Sequence, residues 1–220
     1  MFMKKLFCLL TLALIVCIST VRAQRYQEDV NTILRWDKMY APPANPILFT
    51  GSSSIRKWDD LERTFSSYVV LNRGVGGTVT NDIIYYADKI IFPYHPRQIV
   101  LYVGENDLVE KGVNADTVFN RFKNLYNIIR NKLPDISIVY ISIKPSPSRV
   151  QFLSTARQAN SMIKDYIAKQ RKIAFVDIFQ PMLDRNGNPR KELFVDDMLH
   201  MNAQGYAIWQ KAVRPHLIQK

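Results

Sequence analysis

Ile47-Leu48-Phe49-Thr50-Gly51-Ser52-Ser53-Ser54-Ile55-Arg56-Lys57-Trp58 runs from an apolar segment into a helical pattern across one glycine and three serines. Residues 46–50 are apolar on consecutive positions, as a strand covered on both faces must be, and 55–65 carry a helical pattern. The same alternation repeats along the chain. Strands are expected at 68–72, 99–103, 136–143 and 173–177, and helices at 81–91, 114–131, 153–170 and 203–217. A further helix at 26–39 precedes the first strand, and Asn114 suits the N-cap of the 114–131 helix. Strands joined by helical crossovers make right-handed βαβ units, hence an α/β fold with a parallel sheet between two helical layers. In such sheets ligands bind beyond the carboxyl ends of the strands. Chemistry is therefore expected in 51–54, 73–78, 104–108, 144–149 and the turn before the last helix.

The length of 220 residues suits one domain, and 47% hydrophobic residues with eight glycines and eleven prolines exclude collagen-like and disordered chains. Lys4 and Lys5 precede an apolar run over 6–18, and Val21-Arg22-Ala23 supplies small residues at −3 and −1. This pattern reads as a secretory signal peptide over 1–23, too short for a membrane span, followed by a single domain over 24–220. Its removal takes Lys4, Lys5 and Arg22 with it, so a formal charge of +11 becomes +8. Cys8 and Cys17 leave as well, and the expected mature chain has neither disulfide nor cysteine metal site. The location expected from this is periplasmic or extracellular. The basic balance comes with no helix-turn-helix, RNA-binding or zinc-finger pattern, so no nucleic-acid partner is expected.

Three histidines allow elimination. His95 precedes a strand and so lies at the wrong edge of the sheet, and His216 is in the last turn of the final helix. His200 stands on the productive side, in Asp197-Met198-Leu199-His200. The spacing lets the Asp197 carboxylate accept Nδ1–H and leaves Nε2 free as a base. With no thiol in the mature chain and no metal-ligand pattern such as HExxH, a serine of 52–54 is the remaining nucleophile, although serines there also suit helix capping. Arg73-Gly74-Val75-Gly76-Gly77-Thr78 can bring bare backbone N–H groups to a ligand, and Gly104-Glu105-Asn106-Asp107 places an amide after the third strand. Together these match what acyl transfer requires: nucleophile, base, orienting acid and donors for an oxyanion.

These blocks, with Ile141-Ser142-Ile143-Lys144-Pro145-Ser146-Pro147-Ser148-Arg149 and 194–206, resemble the SGNH (GDSL-type) hydrolases in order and spacing. The branch most similar is that of the platelet-activating-factor acetylhydrolase catalytic subunits, and the match spans 47–215. The resemblance implies a three-layer α/β/α sandwich with a flavodoxin-like, five-stranded parallel sheet. It implies Ser53 as nucleophile, with Ser54 a distant second, and Asp197 and His200 as its partners, since only Asp197 and not Asp196 has the Asp-x-x-His offset. It further implies an oxyanion hole from Ser53, Gly77 and Asn106, with Gly76 the alternative register. Ser52 replaces the aspartate of the Gly-Asp-Ser signature.

The activity expected is that of a secreted serine esterase without cofactor or metal. Its substrate is a small-molecule or glycan ester, short-chain and above all acetyl. A lysophospholipid or platelet-activating-factor-like ester is the runner-up, and a non-catalytic carbohydrate binder on the same fold is the third reading. Arg149 is a candidate substrate contact for an acidic group. Arg56 and Arg73 are expected to pair with Asp107 or Glu105. Trp36, Trp58 and Trp209 are expected in the core or as groove walls rather than as a sugar platform, and Tyr85 and Tyr86 suit helix packing. Oligomeric state is left open by the sequence.

Overall fold

A computed structural model describes residues 26–219. The proposed signal peptide lies outside the described residues. The chain forms α1 (Gln27–Met39), β1 (Ile47–Gly51), α2 (Ser53–Arg56), α3 (Leu61–Thr64), β2 (Val70–Gly74) and α4 (Thr80–Ile90). It continues with β3 (Gln98–Tyr102), α5 (Ala115–Lys132), β4 (Ser137–Ile141), α6 (Leu153–Ile167), β5 (Ile173–Val176) and α7 (Ala203–Val213).

The five strands are all parallel, in the order β2-β1-β3-β4-β5. Side chains of a strand alternate between faces, so a strand buried on both sides must feed two cores. Ile47 and Phe49 face one, with Ile55, Trp58, Phe65, Trp209 and Val213. Leu48 faces the other, with Val30, Ile83, Phe122, Leu125 and Ile163. The doubly apolar run at 47–49 thus encodes the sandwich.

Strand order reverses between β2-β1 and β3-β4, which opens a crevice at the carboxyl ends of β1 and β3. The register pairs Gly51 with both Gly74 and Tyr102, so all three strands end on one level.

The expected helix over 55–65 is instead two short turns, α2 and α3. The break falls at Trp58, whose indole is pulled into the aromatic core against Phe49, Phe65 and Trp209. The Asp60 carbonyl then receives Thr64 N–H to begin the new turn. Trp58 and Trp209 are buried as expected, whereas Trp36 is 54% exposed and stacks on Tyr40 at the surface. Tyr86 is buried and its neighbour Tyr85 is not.

β1 ends on a backbone geometry that excludes side chains. Gly51 has φ of +136°, and a Cβ there would lie 1.8 Å from the Tyr102 carbonyl oxygen. We expect Gly51→Ala to destabilise the fold by about 3 kcal/mol or more, since backbone strain and overpacking add. Urea unfolding of the variant beside the parent chain measures this, and equal midpoints would contradict it.

Candidate active site

The segment after Gly51 turns sharply. Ser52 N–H donates to the Tyr102 carbonyl at 3.1 Å, and the Ser52 carbonyl then receives Ile55 and Arg56 N–H. Ser52 and Ser54 are buried, while Ser53 is only partly so and faces the crevice. Tyr206 of α7 donates its hydroxyl to the Ser54 carbonyl at 3.0 Å, tying this turn to the final helix.

His200 reaches the same point from the far end of the chain: Nε2 lies 2.9 Å from Ser53 Oγ. On the other side of the ring, Nδ1 lies 2.5 Å from Asp197 Oδ2. The Asp197 carboxylate divides its work between its oxygens. Oδ1 accepts Leu199 N–H at 2.9 Å and His200 N–H at 2.8 Å, fixing the turn, while Oδ2 orients the ring. A hydrogen on Nδ1 directed to Oδ2 leaves Nε2 as the acceptor for the serine hydroxyl. Lys57 Nζ lies 3.4 Å from Nδ1. Both are donors in that tautomer, so Lys57 is not a hydrogen-bond partner of the ring.

Met198, between Asp197 and His200, takes a left-handed backbone with φ of +55°. Its N–H donates to the Val195 carbonyl, and its own carbonyl receives both the N–H and the Oγ–H of Ser148. These bonds hold a conformation that a methionine otherwise avoids.

After β3, Asn106 Nδ2 donates to the Thr78 carbonyl at 2.9 Å, which brings the amide beside the glycine loop. Gly77 has φ of +80°, and its carbonyl accepts the Tyr26 hydroxyl at 2.7 Å. A Cβ on Gly76 would meet the Arg56 guanidinium at 3.1 Å, so both glycines are closely packed.

Two buried carboxylates, expected from the sequence only as partners of Arg56 and Arg73, stand behind these groups. Asp107 is fully buried. It accepts Thr80 N–H and Oγ–H at the start of α4, and Arg121 of α5 at 2.8 Å. Glu105, 4% exposed, accepts Lys144 Nζ, Ser146 Oγ at 2.5 Å and Tyr102 OH at 2.8 Å. Burial raises the Glu105 carboxyl, but the Lys144 ammonium and Arg149 guanidinium outweigh it and hold the group below its ordinary range. A signal was legible: an acid three residues beyond β3 and a lysine three beyond β4, both at the productive edge.

Arg149 lies at this edge with its guanidinium on protein groups. Nη1 donates to the Glu105 carbonyl at 3.0 Å and Nη2 to Asn106 Oδ1 at 2.8 Å. The expected pairings of Arg56 and Arg73 are corrected. Arg56 meets Asp29 and Arg73 meets Asp37, both acids of α1, because that helix covers the β2 side of the sheet. Among the described residues no group of three or more His, Cys, Asp or Glu side chains is placed to hold a metal ion.

The model of the GDSL-like lipase/acylhydrolase family matches residues 40–208. No curated protein sequence matches the chain. Among solved structures, a protein from Streptococcus pneumonia, provisionally described as a platelet activating factor, is similar over 94% of this chain and 99% of its own. That pair has a TM-score of 0.77 at 23% identity. A GDSL-like lipase from Bacteroides thetaiotaomicron covers 84% of this chain and 95% of its own, with a TM-score of 0.70 at 20% identity. A catalytic mutant of an acetylxylan esterase from Geobacillus stearothermophilus covers 78% and 94%, with a TM-score of 0.63 at 14% identity. The shared architecture is the α/β sandwich described above.

Burial raises the Asp197 carboxyl, but the hydrogen bonds from His200 and Leu199 outweigh it and hold the group well below the carboxylate range. A depressed acid keeps its stabilising contacts above its ordinary value and loses them only as pH falls through the lowered one. We therefore expect the Asp197 carboxylate to remain ionised as pH falls through about 3.9, where free aspartate titrates. Carboxyl ¹³C NMR reads this directly, and a step near that pH would contradict it.

Proposed function

The chain belongs to the GDSL-like lipase/acylhydrolase family and is a carboxylic ester hydrolase; from that premise we propose that it removes short acyl groups, acetyl above all, from carbohydrate alcohols. The observation carrying the reading is the hydrogen-bonded row of Ser53, His200 and Asp197, with separations of 2.9 and 2.5 Å.

In this mechanism Ser53 Oγ attacks the ester carbonyl carbon as His200 Nε2 takes its proton. Asp197 Oδ2 holds Nδ1–H and stabilises the imidazolium. The carbonyl oxygen becomes an oxyanion and is met by the N–H of Ser53, the N–H of Gly77 and the Nδ2 of Asn106. Collapse expels the alcohol, which leaves with the proton from His200. A water molecule then gives its proton to His200 and attacks the acyl-Ser53. The second intermediate collapses as His200 gives that proton to Ser53 Oγ, which releases the carboxylic acid and restores both residues.

The substrate reading draws on the segments beyond the strands. The excursion after β5, residues 177–202, is pinned by antiparallel bridges at Leu183–Pro189 and Phe194–Met201. It borders a groove of about 820 Å³, where Pro147, Val150, Leu183 and Pro189 form apolar walls and Asn188 and Arg190 add polar ones. Two of its wall residues, Pro147 and Val150, flank in sequence Ser148 and Arg149, which touch the histidine turn and Asn106 respectively. Apolar walls with a polar rim suit the face and hydroxyls of a sugar. The likeness to an acetylxylan esterase accords with that. Export is part of the proposal and rests on the sequence of residues 1–23. No helix among the described residues is long and apolar enough to cross a membrane.

The second reading, a lysophospholipid ester, draws on Val150 and Val195, which are exposed at 52% and 42%. Rates on p-nitrophenyl acetate, butyrate and laurate separate the two, and we expect kcat/KM to fall with acyl length. A preference for laurate would overturn the acetyl reading. Ser53→Ala is expected to lower kcat by about 10⁴- to 10⁶-fold while unfolding at the parent temperature. An active Ser53→Ala variant would remove Ser53 from the mechanism.

A further inference from the structure

The 144–149 segment braces the loops at the carboxyl edge of the sheet. Every second side chain of Lys144-Pro145-Ser146-Pro147-Ser148 bonds inward: Lys144 and Ser146 to the Glu105 carboxylate, and Ser148 to the Met198 carbonyl. Arg149 completes the series on the Glu105 carbonyl and on Asn106 Oδ1. One short stretch after β4 thereby touches both the loop that carries Asn106 and the turn that carries His200.

The bond to Asn106 decides which way its amide faces. A terminal amide can swap oxygen and nitrogen by a half turn about its last torsion, and only its partners choose between the two states. Here the Thr78 carbonyl accepts from Nδ2 at 2.9 Å, and Arg149 donates to Oδ1 at 2.8 Å. After the half turn, the amide oxygen would face a carbonyl and the amide nitrogen a guanidinium, and both contacts would repel. Thr78 accepts one hydrogen of Nδ2, and the amide carries a second. A cation on Oδ1 also draws electron density from the amide and strengthens Nδ2–H as a donor.

We propose that Arg149 is the positioning residue of the oxyanion hole. It locks the Asn106 amide with Nδ2 toward the developing negative charge and polarises it for that task. The proposal rests on the reading of Asn106 as an oxyanion donor. It assigns Arg149 to the transition state through Asn106, not to the binding of an acidic substrate. The fork matters as much as the charge, because one guanidinium spans the Glu105 carbonyl and Asn106 Oδ1, whereas a lysine has a single nitrogen to offer.

The test is a double-mutant cycle on p-nitrophenyl acetate hydrolysis with Arg149→Met, Asn106→Ala and both together. Asn106→Ala is expected to lower kcat by about 10²- to 10³-fold, as loss of an oxyanion donor does. Arg149→Met is expected to lower kcat by roughly 10- to 100-fold with KM nearly unchanged, as misplacement of a catalytic group does. In the Asn106→Ala background the same substitution is expected to cost almost nothing further. Arg149→Lys, which keeps charge and bulk, is expected to fall between Arg149→Met and the parent, and it carries the same cycle if Arg149→Met does not fold.

A slow Asn106→Ala beside a fully active Arg149→Met overturns the proposal alone. Equal losses from Arg149→Met in both backgrounds overturn it too, as does a rise in KM with kcat intact, which would make Arg149 a substrate contact. A fully active Asn106→Ala overturns the oxyanion reading itself, and the proposal falls with it.

Discussion

The Glu105 carboxylate is the constraint around which the carboxyl edge of the sheet is arranged. A charge with 4% exposure must be matched by donors, because removing it from water costs several kcal/mol. Tyr102 supplies one from β3, and Lys144 and Ser146 supply others from the segment after β4. Lys144 is itself buried, and burial lowers its ammonium below the ordinary lysine range, with Glu105 opposing that shift. Neither charge is tolerable without the other. Their pairing draws the two strand ends together and delivers Arg149 to Asn106. Asp107, two residues on, performs the corresponding task toward α4 and α5 through Thr80 and Arg121. Two adjacent polar anchors on one loop therefore fix Asn106, which lies between them.

The fold was legible because its signal is periodic. A strand that feeds two cores must be apolar on consecutive positions, and Ile47, Leu48 and Phe49 distribute themselves between the two cores accordingly. Alternation with helices then leaves few topologies, and the parallel five-stranded sheet is one of them. Ser53, His200 and Asp197 were legible for a different reason: the strand-end rule limits where chemistry sits, and the Asp-x-x-His spacing closes a hydrogen-bonded turn. The structure brings these three residues together, and their catalytic roles are part of the proposed mechanism.

Less was legible wherever a residue's meaning depends on a partner far along the chain. Arg56 and Arg73 flank the chemistry in sequence, which suggested nearby acids, yet α1 covers that side and supplies Asp29 and Asp37 instead. Lys144 and Glu105 are 39 residues apart, so their strand-end positions were legible but their pairing was not. The break between α2 and α3 follows from the core's demand for Trp58, which helical periodicity does not express. Trp36 has the same residue type on a similar pattern, but among the described residues no second layer covers it.

The bond between His200 and Ser53 spans 147 residues, so it forms only after synthesis has passed residue 200. α7 follows His200 directly, packs Trp209 against Trp58, and sends Tyr206 to the Ser54 carbonyl. In the proposed mechanism, a nascent chain arrested before residue 197 thus holds the nucleophile without its base. Under that mechanism, chemical competence reports that residues 197–200 have been made and that α7 has docked against Trp58.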